Sequence, residues 1–288
     1  MTRRPVKATA PAMATTASPS FRDPHSLPIE LIEEFSDDPD FVTSLARGLA
    51  VLLALSDKKR HMSIAQVSYC TGIPRAAVRR SLLTLSKLGF AAFDETHQFY
   101  LRPKVLSFSH AYLSASPISM LAQPILDRLS ETMGEACSLA VLDGDDIVYL
   151  CRSTSSRIMS PYLNVGRRQP AYCTSLGNVL LASFPQAELD AYLDRVQILP
   201  VTPYAIDSVP KLRAMLDTAR ELGYSFMSQQ TVLLLCSLAV PVCDSGGKPV
   251  AAVNVIRQGQ LLDVDEMTER FLAPMQSAAA ELGSLLTS

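Results

Sequence analysis

The 288-residue sequence lacks the features that membrane and secreted proteins need. Its longest apolar runs, such as residues 231–236, fall far short of the roughly 18 residues that a transmembrane helix requires. No apolar segment follows Arg3, Arg4 and Lys7, so a secretory signal is also missing. The six cysteines include no Cys-x-x-Cys pair, which predicts reduced thiols and no zinc site. These absences favour a cytoplasmic globular protein that has no membrane partner and binds no metal.

Charge of either sign is sparse, because only 19% of the residues are charged and the formal net charge is -2. The charges are nevertheless segregated along the chain. Six carboxylates lie between Glu30 and Asp40, whereas the segment from Arg47 to Lys104 holds ten lysines and arginines against three acidic residues. A basic module joined to an acidic body is typical of a DNA-binding protein that carries a second domain.

Three helices are predicted in the basic segment. The apolar spacing of residues 41–55 predicts the first helix, and the capping-box pair of Ser63 and Gln66 opens the second. Gly72 then breaks the chain, and Pro74 opens a third helix that runs to about residue 88. Two short helices joined by a tight glycine turn predict a helix-turn-helix, whose second helix enters the major groove of DNA.

The third helix leaves four residues on its outer face at the end that would meet DNA. They are Arg75, Ala76, Arg79 and Arg80. Arginine can bind a guanine edge or a phosphate, and alanine can contact a thymine methyl group. We expect Arg75 and Arg79 to read bases and Arg80 to contact phosphate or base. The alternative is that these arginines form a solvated face, which would require charge segregation, turn and wing to coincide by chance.

Residues 90–101 follow as two short predicted strands around an acidic tip, which completes a winged helix. Because Asp94 and Glu95 lie at that tip, we expect little phosphate contact there. Arg102 and Lys104, at the base of the wing, are the better candidates for phosphate contacts.

The remainder of the chain predicts helices around an antiparallel sheet. Residues 105–116 and 120–133 have helical spacing, and two hairpins are predicted at residues 137–151 and 237–256. Between and after the hairpins, helical spacing returns at residues 175–183, 186–195, 210–222 and 264–286. The second domain is therefore predicted to be an α+β sensor-like domain.

The absence of histidine from this second domain argues against catalysis there. The chain has only His25, His61, His97 and His110, all of which precede it. A Ser-His-Asp or Cys-His arrangement cannot be built there, and no phosphate- or dinucleotide-binding glycine motif occurs. We therefore expect no catalytic residues, no enzymatic activity and no cofactor.

The start of the helix at residue 175 allows two interpretations. Free N–H groups at a helix start suit a carboxylate, and Arg167, Arg168 and Tyr172 precede this helix. Alternatively, Thr174 or Ser175 is a simple N-cap, and the helix end stays solvated. Spacing alone does not separate these interpretations.

Several motifs resemble the IclR family of bacterial transcriptional regulators, in the family's order and from about Phe41 to the C-terminus. They are residues 134–149, 157–159, 165–177 and 237–242. Arg157-Ile-Met159 and Pro170-Ala-Tyr172 are most similar to the Pca/Pob-type branch, which controls aromatic-acid breakdown. The resemblance implies a winged helix-turn-helix domain, a linker helix involved in dimerisation and a GAF-like antiparallel-sheet effector-binding domain. It also implies dimers or tetramers on operator DNA.

The resemblance further implies an effector pocket. Carried over by position, its residues are Ser175, Leu176, Met227, Ser237 and Asn254, with Met159 and Tyr172 as walls. This favours the anion-site interpretation of the helix start. Met227 replaces a usual acidic or polar contact, and such an apolar wall suits an aromatic ring.

Two positions before residue 237 depart from the branch. Leu234 replaces a usual glycine and Cys236 replaces a usual arginine. An arginine at position 236 can pair with a ligand carboxylate or with a structural acid, so its loss bears on the identity of the effector.

The predicted organisation has four parts: a disordered leader with the acidic segment (1–40), the winged helix-turn-helix domain (41–104), the linker helix (105–118) and the effector-binding domain (119–288). The function that fits is a homo-oligomeric regulator that binds double-stranded operator DNA and answers a small aromatic acid, controlling an aromatic-compound catabolic operon. The alternatives are a repressor that answers a non-aromatic acid, or a ligand-binding protein whose winged helix makes protein contacts.

Overall fold

The computed structural model describes residues 29–56, 61–154 and 164–286. The helices in these ranges are α1 (Ile29–Glu34), α2 (Thr43–Ala54), α3 (Ile64–Thr71), α4 (Arg75–Lys87), α5 (Leu106–Ala115), α6 (Pro117–Met133), α7 (Ser175–Leu181), α8 (Gln186–Arg195), α9 (Val209–Leu222) and α10 (Val264–Leu285). The strands are β1 (Ala91–Phe93), β2 (Phe99–Leu101), β3 (Ala136–Asp143), β4 (Asp146–Ser153), β5 (Arg168–Pro170), β6 (Ser225–Ser228), β7 (Leu235–Cys243) and β8 (Pro249–Gln258).

Helices α2, α3 and α4 and the β1–β2 hairpin form the winged helix-turn-helix domain, which we call the reading head. The predicted capping box is present, since the Ser63 side chain accepts from the Gln66 N–H and the Gln66 side chain accepts from the Ser63 N–H. Gly72 ends α3 in the left-handed conformation, with φ of 72°, which glycine adopts without steric cost. Met62, Val67, Val78 and Leu82 lie in the core of the reading head.

The acidic segment differs from the expectation of a disordered leader through residue 40. Helix α1 lies inside it, and Ile32 is only 3% exposed, packed into the core of the reading head. The carboxylates concealed this apolar contact, because a hydrophobic residue in a short charged segment gives no clear period. Residues 1–28 lie outside the described residues.

Within the described ranges, a six-stranded antiparallel sheet with strand order β5-β4-β3-β8-β7-β6 lies at the centre of the second domain, which we call the effector domain after its predicted role. Both predicted hairpins are present as β3–β4 and β7–β8, and the α+β fold class is confirmed. The edge strands β5 and β6, of three and four residues, were not predicted. They are too short to show an alternating pattern.

Each face of this sheet packs against its own helices. Helices α6 and α10 cover one face around Leu129, Val253 and Met275, and Pro124 lies inside α6. Helices α7, α8 and α9 cover the other face around Leu176 and Leu216. Because neighbouring residues of a strand point to opposite faces, each strand contributes to both cores.

No helix in the described part of the chain is both long and apolar enough to span a membrane.

Candidate DNA-reading surface and effector pocket

The first turns of α4 present the predicted DNA-binding residues to solvent. Arg75, Ala76, Arg79 and Arg80 are all exposed, whereas Val78 is fully buried beneath them. The side chains that would enter a major groove are therefore gathered on one accessible end of one helix. Tyr69 on α3 is also 90% exposed, and sequence reasoning did not single it out.

The two cations at the base of the wing differ from each other. Arg102 is exposed, as expected of a phosphate contact. Lys104 is exposed too, but its Nζ donates to the Leu88 carbonyl at 2.9 Å and lies 4.8 Å from the centroid of the Phe90 ring. Lys104 therefore stabilises the C-terminal end of α4, where a cation interacts favourably with unpaired carbonyl groups.

The acidic tip of the wing is held by hydrogen bonds to Asp94. Its carboxylate accepts from the Thr96 hydroxyl at 2.6 Å and from the Gln98 N–H at 3.0 Å, and it contacts His61 Nδ1 at 2.8 Å. These hydrogen bonds, the Thr96 hydroxyl first, hold the pKa of Asp94 well below its usual range. The carboxylate is therefore charged, and little phosphate contact at the tip stays a prediction.

The effector domain contains a cavity of about 580 Å³, counted with its open mouth, between the sheet and α7. Its lining residues are Tyr149, Gln169, Cys173, Thr174, Ser175, Met227, Gln230, Thr231, Val232, Leu235, Ser237, Asn254, Ile256 and Gln258. None of these lining side chains is a carboxylate, a lysine or an arginine, so the described wall is uncharged.

Four residues of the predicted effector set meet at this cavity: Ser175, Met227, Ser237 and Asn254. Leu176 is fully buried in the adjacent core instead of at the wall. The Tyr172 hydroxyl is hydrogen-bonded to the backbone of Leu199, accepting from its N–H at 3.0 Å. Met159 lies outside the described residues.

The start of α7 has the N-cap of one interpretation, whereas the anion-site interpretation stays a prediction. The Thr174 hydroxyl is the N-cap and accepts from the Gly177 N–H at 2.9 Å. Ser175 Oγ is buried at the cavity wall and has no hydrogen-bond partner in the part of the chain that the structure describes. Such a buried hydroxyl group costs free energy unless water or a ligand pairs with it.

Sequence reasoning missed several wall residues, of which Tyr149, Cys173 and Gln230 are the most informative. The Tyr149 hydroxyl bonds Gln169 Oε1 at 2.9 Å across strands β4 and β5. Burial raises the pKa of the Cys173 thiol to about 12, so this thiol is neutral at physiological pH. The Gln230 amide links the wall to residues 204–206, accepting from the Ile206 N–H at 2.8 Å and donating to the Tyr204 carbonyl at 3.0 Å.

The two departures before residue 237 differ in their surroundings, because Cys236 lies within β7 and Leu234 precedes this strand. Cys236 faces α10, with its sulfur 4.0 Å from that of Met267, so position 236 does not face the cavity. The proposed pairing of an arginine there with a ligand carboxylate is therefore excluded for this sheet register. Leu234 keeps the glycine-like conformation, with φ of 58° and a half-exposed side chain.

Comparison with known proteins adds a family. The sequence model described as Bacterial transcriptional regulator IclR C-terminal matches residues 110–284, and the IclR helix-turn-helix domain model matches residues 44–95. The Pca regulon regulatory protein of Pseudomonas putida is 44% identical over 273 residues, which cover 94% of this chain and 92% of that protein. The p-hydroxybenzoate hydroxylase transcriptional activator of Acinetobacter baylyi is 32% identical over 252 residues, with 86% and 93% coverage.

A solved structure also has this fold. It is the crystal structure of an IclR homolog complexed with 4-hydroxybenzoate from Microbacterium hydrocarbonoxydans, with a TM-score of 0.70 over 84% of this chain and 98% of that chain. At 20% sequence identity, this likeness shows the fold alone. The two relatives named above are regulators of transcription and not enzymes, in agreement with the absence of a histidine from the effector domain.

Proposed function

The chain belongs to the IclR family of bacterial transcriptional regulators, and from that membership we propose that it binds operator DNA and answers a small aromatic acid. Its target is an operon for the breakdown of aromatic compounds, and it acts in the cytoplasm, where that DNA is found. The named functions of the relatives from Pseudomonas putida and Acinetobacter baylyi support this assignment.

The observation that carries the effector proposal is a cavity whose wall has buried polar groups without hydrogen-bond partners among the described residues. Ser175 Oγ and Asn254 Oδ1 both lie at its wall without a hydrogen-bond partner among the described residues. Met227 and Ile256 supply apolar wall beside them. A flat ring with a few polar substituents matches this mixture better than a small, fully polar acid does.

DNA binding is assigned to the exposed end of α4 and to the base of the wing. Arg75 and Arg79 read base edges, Ala76 contacts a thymine methyl group, Arg80 contacts phosphate or base, and Arg102 holds a phosphate. The exposure of these side chains supports the assignment. Lys104 contributes through its field, since its ammonium group is already paired with the Leu88 carbonyl.

The active form is proposed to be a homodimer. Three apolar residues at the start of α2 are exposed: Val42 at its N-cap and Leu45 and Leu49 within it, by 58%, 60% and 47%. Leu106, Phe108 and Tyr112 on α5 are exposed to a similar degree. A second copy would cover these side chains, and the dimer would present two reading heads to half-sites about 34 Å apart, which is one turn of DNA. Rotation of the effector domains would then change the fit to both half-sites.

The test is binding of the purified protein to the DNA upstream of its own gene at two salt concentrations. 4-Hydroxybenzoate and protocatechuate are added in turn, and light scattering gives the oligomeric state. The proposal expects tight, salt-dependent binding by a dimer, altered by one of the acids.

Other outcomes correct specific parts of the proposal. A tetramer would replace the dimer, and a response to a non-aromatic acid alone would overturn the effector class. Absent or salt-insensitive DNA binding would contradict the regulator and favour a winged helix that makes protein contacts.

A further inference from the structure

A row of three polar side chains crosses the cavity face of the sheet. In the antiparallel registers, Ser138 on β3 lies opposite Arg152 on β4 and opposite Asn254 on β8. Residues that face each other across antiparallel strands project to the same face of the sheet. Since Asn254 lines the cavity, Ser138 and Arg152 belong to the cavity face as well.

Ser138 is the central member of this row and was not among the predicted effector residues. It is fully buried, and its Oγ has no hydrogen-bond partner among residues 29–56, 61–154 and 164–286. Its strand lies between β4, which supplies Tyr149 to the wall, and β8, which supplies Asn254. Buried hydroxyl groups are almost always paired, so this one lacks the partner that such a group usually has.

Arg152 brings positive charge to a site whose described wall has none. Burial lowers the pKa of its guanidinium, against an opposing effect of Tyr149, which lies beside it. A partly desolvated cation gains more from an anion than an exposed one does, because water screens the pair less. An acid that approaches the row therefore meets a charge-assisted donor next to a neutral one.

A second row of cavity residues lies two residues along the strands from the first, a distance that suits an aromatic ring. Met227, Ser237 and Ile256 face one another across β6, β7 and β8. Ser237 and Ile256 lie two residues from Ala239 and Asn254, which face each other in the first row. Two residues of strand span about 6.6 Å, which is within reach of a single benzene ring that carries a carboxylate.

Resting on the proposed function, we propose that Ser138 and Arg152 form the carboxylate subsite of the effector pocket, with the ring over Met227 and Ile256. Arg152 selects for the charged acid, and Ser138 orients one carboxylate oxygen beside Asn254.

The experiment compares 4-hydroxybenzoate with its uncharged analogue 4-hydroxybenzamide, by calorimetric titration of the full chain. If 4-hydroxybenzoate gives no signal, protocatechuate and protocatechuamide replace this pair. The wild type should bind the acid about 10- to 100-fold more tightly than the amide, which is the range for hydrogen bonds to a charged group. Arg152→Gln should lose most of this preference, and Arg152→Lys should keep part of it.

Two matched variants control for general charge effects. Arg128→Gln removes a cation that pairs with Glu281 on the α6–α10 side of the sheet, so the acid preference should stay at its wild-type value. Arg167→Gln removes the other cation beside Tyr149. If Arg167→Gln removes the preference and Arg152→Gln does not, the carboxylate lies at the other end of the pocket and the proposal is overturned.

Ser138→Ala separates binding from structure. Because the variant removes a buried hydroxyl group that has no partner in the described chain, the free protein should unfold at an equal or higher temperature. Acid binding should nevertheless weaken by about 2- to 10-fold, as expected for one neutral hydrogen bond. A lower unfolding temperature with unchanged acid binding would assign Ser138 to structure alone and contradict the proposal.

Failure of the subsite differs from failure of the proposed function. A wild type that binds neither aromatic acid overturns the proposed effector class and the subsite with it. A wild type that binds an acid, with the preference unchanged in Arg152→Gln and acid binding unchanged in Ser138→Ala, overturns the subsite only.

Discussion

The reading head exposes its site, whereas the effector domain encloses its own. Arg75, Arg79 and Arg80 lie within six consecutive residues of one helix and are open to solvent. The cavity instead collects residues from β4 to β8 that are up to 109 positions apart in the chain, from Tyr149 to Gln258. One site is charged and local, and the other has an uncharged lining and is assembled by the whole domain.

This difference determines what a substitution does. A change on the exposed face of α4 should remove a proposed contact with DNA and leave the fold intact, because no packing is lost. A change at the cavity alters tertiary packing as well, since its walls are also the core of the effector domain. The predictions below test this separation.

Replacement of Gly177 by alanine should have the largest effect. A Cβ atom at this position of α7 would lie 2.1 Å from the Ala171 carbonyl oxygen. Because this oxygen belongs to the backbone, no side-chain movement can relieve the clash. Overpacking of this kind costs about 3 kcal/mol of unfolding free energy. Urea denaturation should show this loss together with loss of effector binding.

Gly246→Ala is the control for this change. Gly246 lies in the β7–β8 turn, and the Cβ atom would meet only the Asp244 side chain, at 3.3 Å. The unfolding free energy should change little. Wild-type stability in Gly177→Ala would mean that α7 and the wall beside it are not tightly packed.

Arg79→Ala should change DNA binding and nothing in the effector domain. If Arg79 reads a base, specific affinity should fall by about 1–3 kcal/mol, whereas a phosphate contact would mainly reduce the salt dependence. Fluorescence anisotropy with operator and unrelated DNA measures both quantities. Lys87→Ala, at the other end of α4, should have a smaller effect, and no change in either quantity for Arg79→Ala would remove α4 from the mechanism.

Leu234→Gly should raise stability by about 0.5–1 kcal/mol. The side chain is half exposed and the backbone is left-handed, so the change relieves steric cost and loses little burial. Leu233→Gly is the matched control, because Leu233 is equally exposed but is not among the described residues with positive φ. Thermal unfolding should move in opposite directions for the two variants, and a parallel decrease would contradict strain at Leu234.

Alkylation of cysteine should show the smallest effect, with no change in structure. Cys70 is exposed, whereas burial raises the pKa of Cys173 to about 12 and that of Cys137 to about 12. Only thiolates react, so iodoacetamide at pH 8 should modify Cys70 before either buried thiol. Mass spectrometry after digestion identifies the sites, and early labelling of Cys173 would mean that the cavity wall opens readily.

Local patterns predicted the reading head well. The capping box of Ser63 and Gln66, the turn at Gly72 and the exposed arginines of α4 all depend on neighbours within a few residues. Lys104 was less well predicted, because its contact with the Leu88 carbonyl depends on the return of the chain after the wing.

The effector site was predicted only in part, and mainly through the family resemblance. Ser175, Met227, Ser237 and Asn254 line the cavity, but Leu176 does not, since its side chain packs into the core. Ser138 and Tyr149 gave no local signal, because strand register decides which residues of distant strands share a face. Register also explains why position 236 faces Met267 and not the cavity.

The central claim is that the two regions are coupled, and it is tested most directly by titrating the aromatic acid into the free protein and into the protein saturated with operator DNA. Linkage requires that the acid affinity change by the same factor by which the acid changes operator affinity. We predict unequal acid affinities whose ratio matches the DNA measurement. Equal acid affinities, together with intact DNA binding, would contradict the account, because the cavity would then not control the reading head.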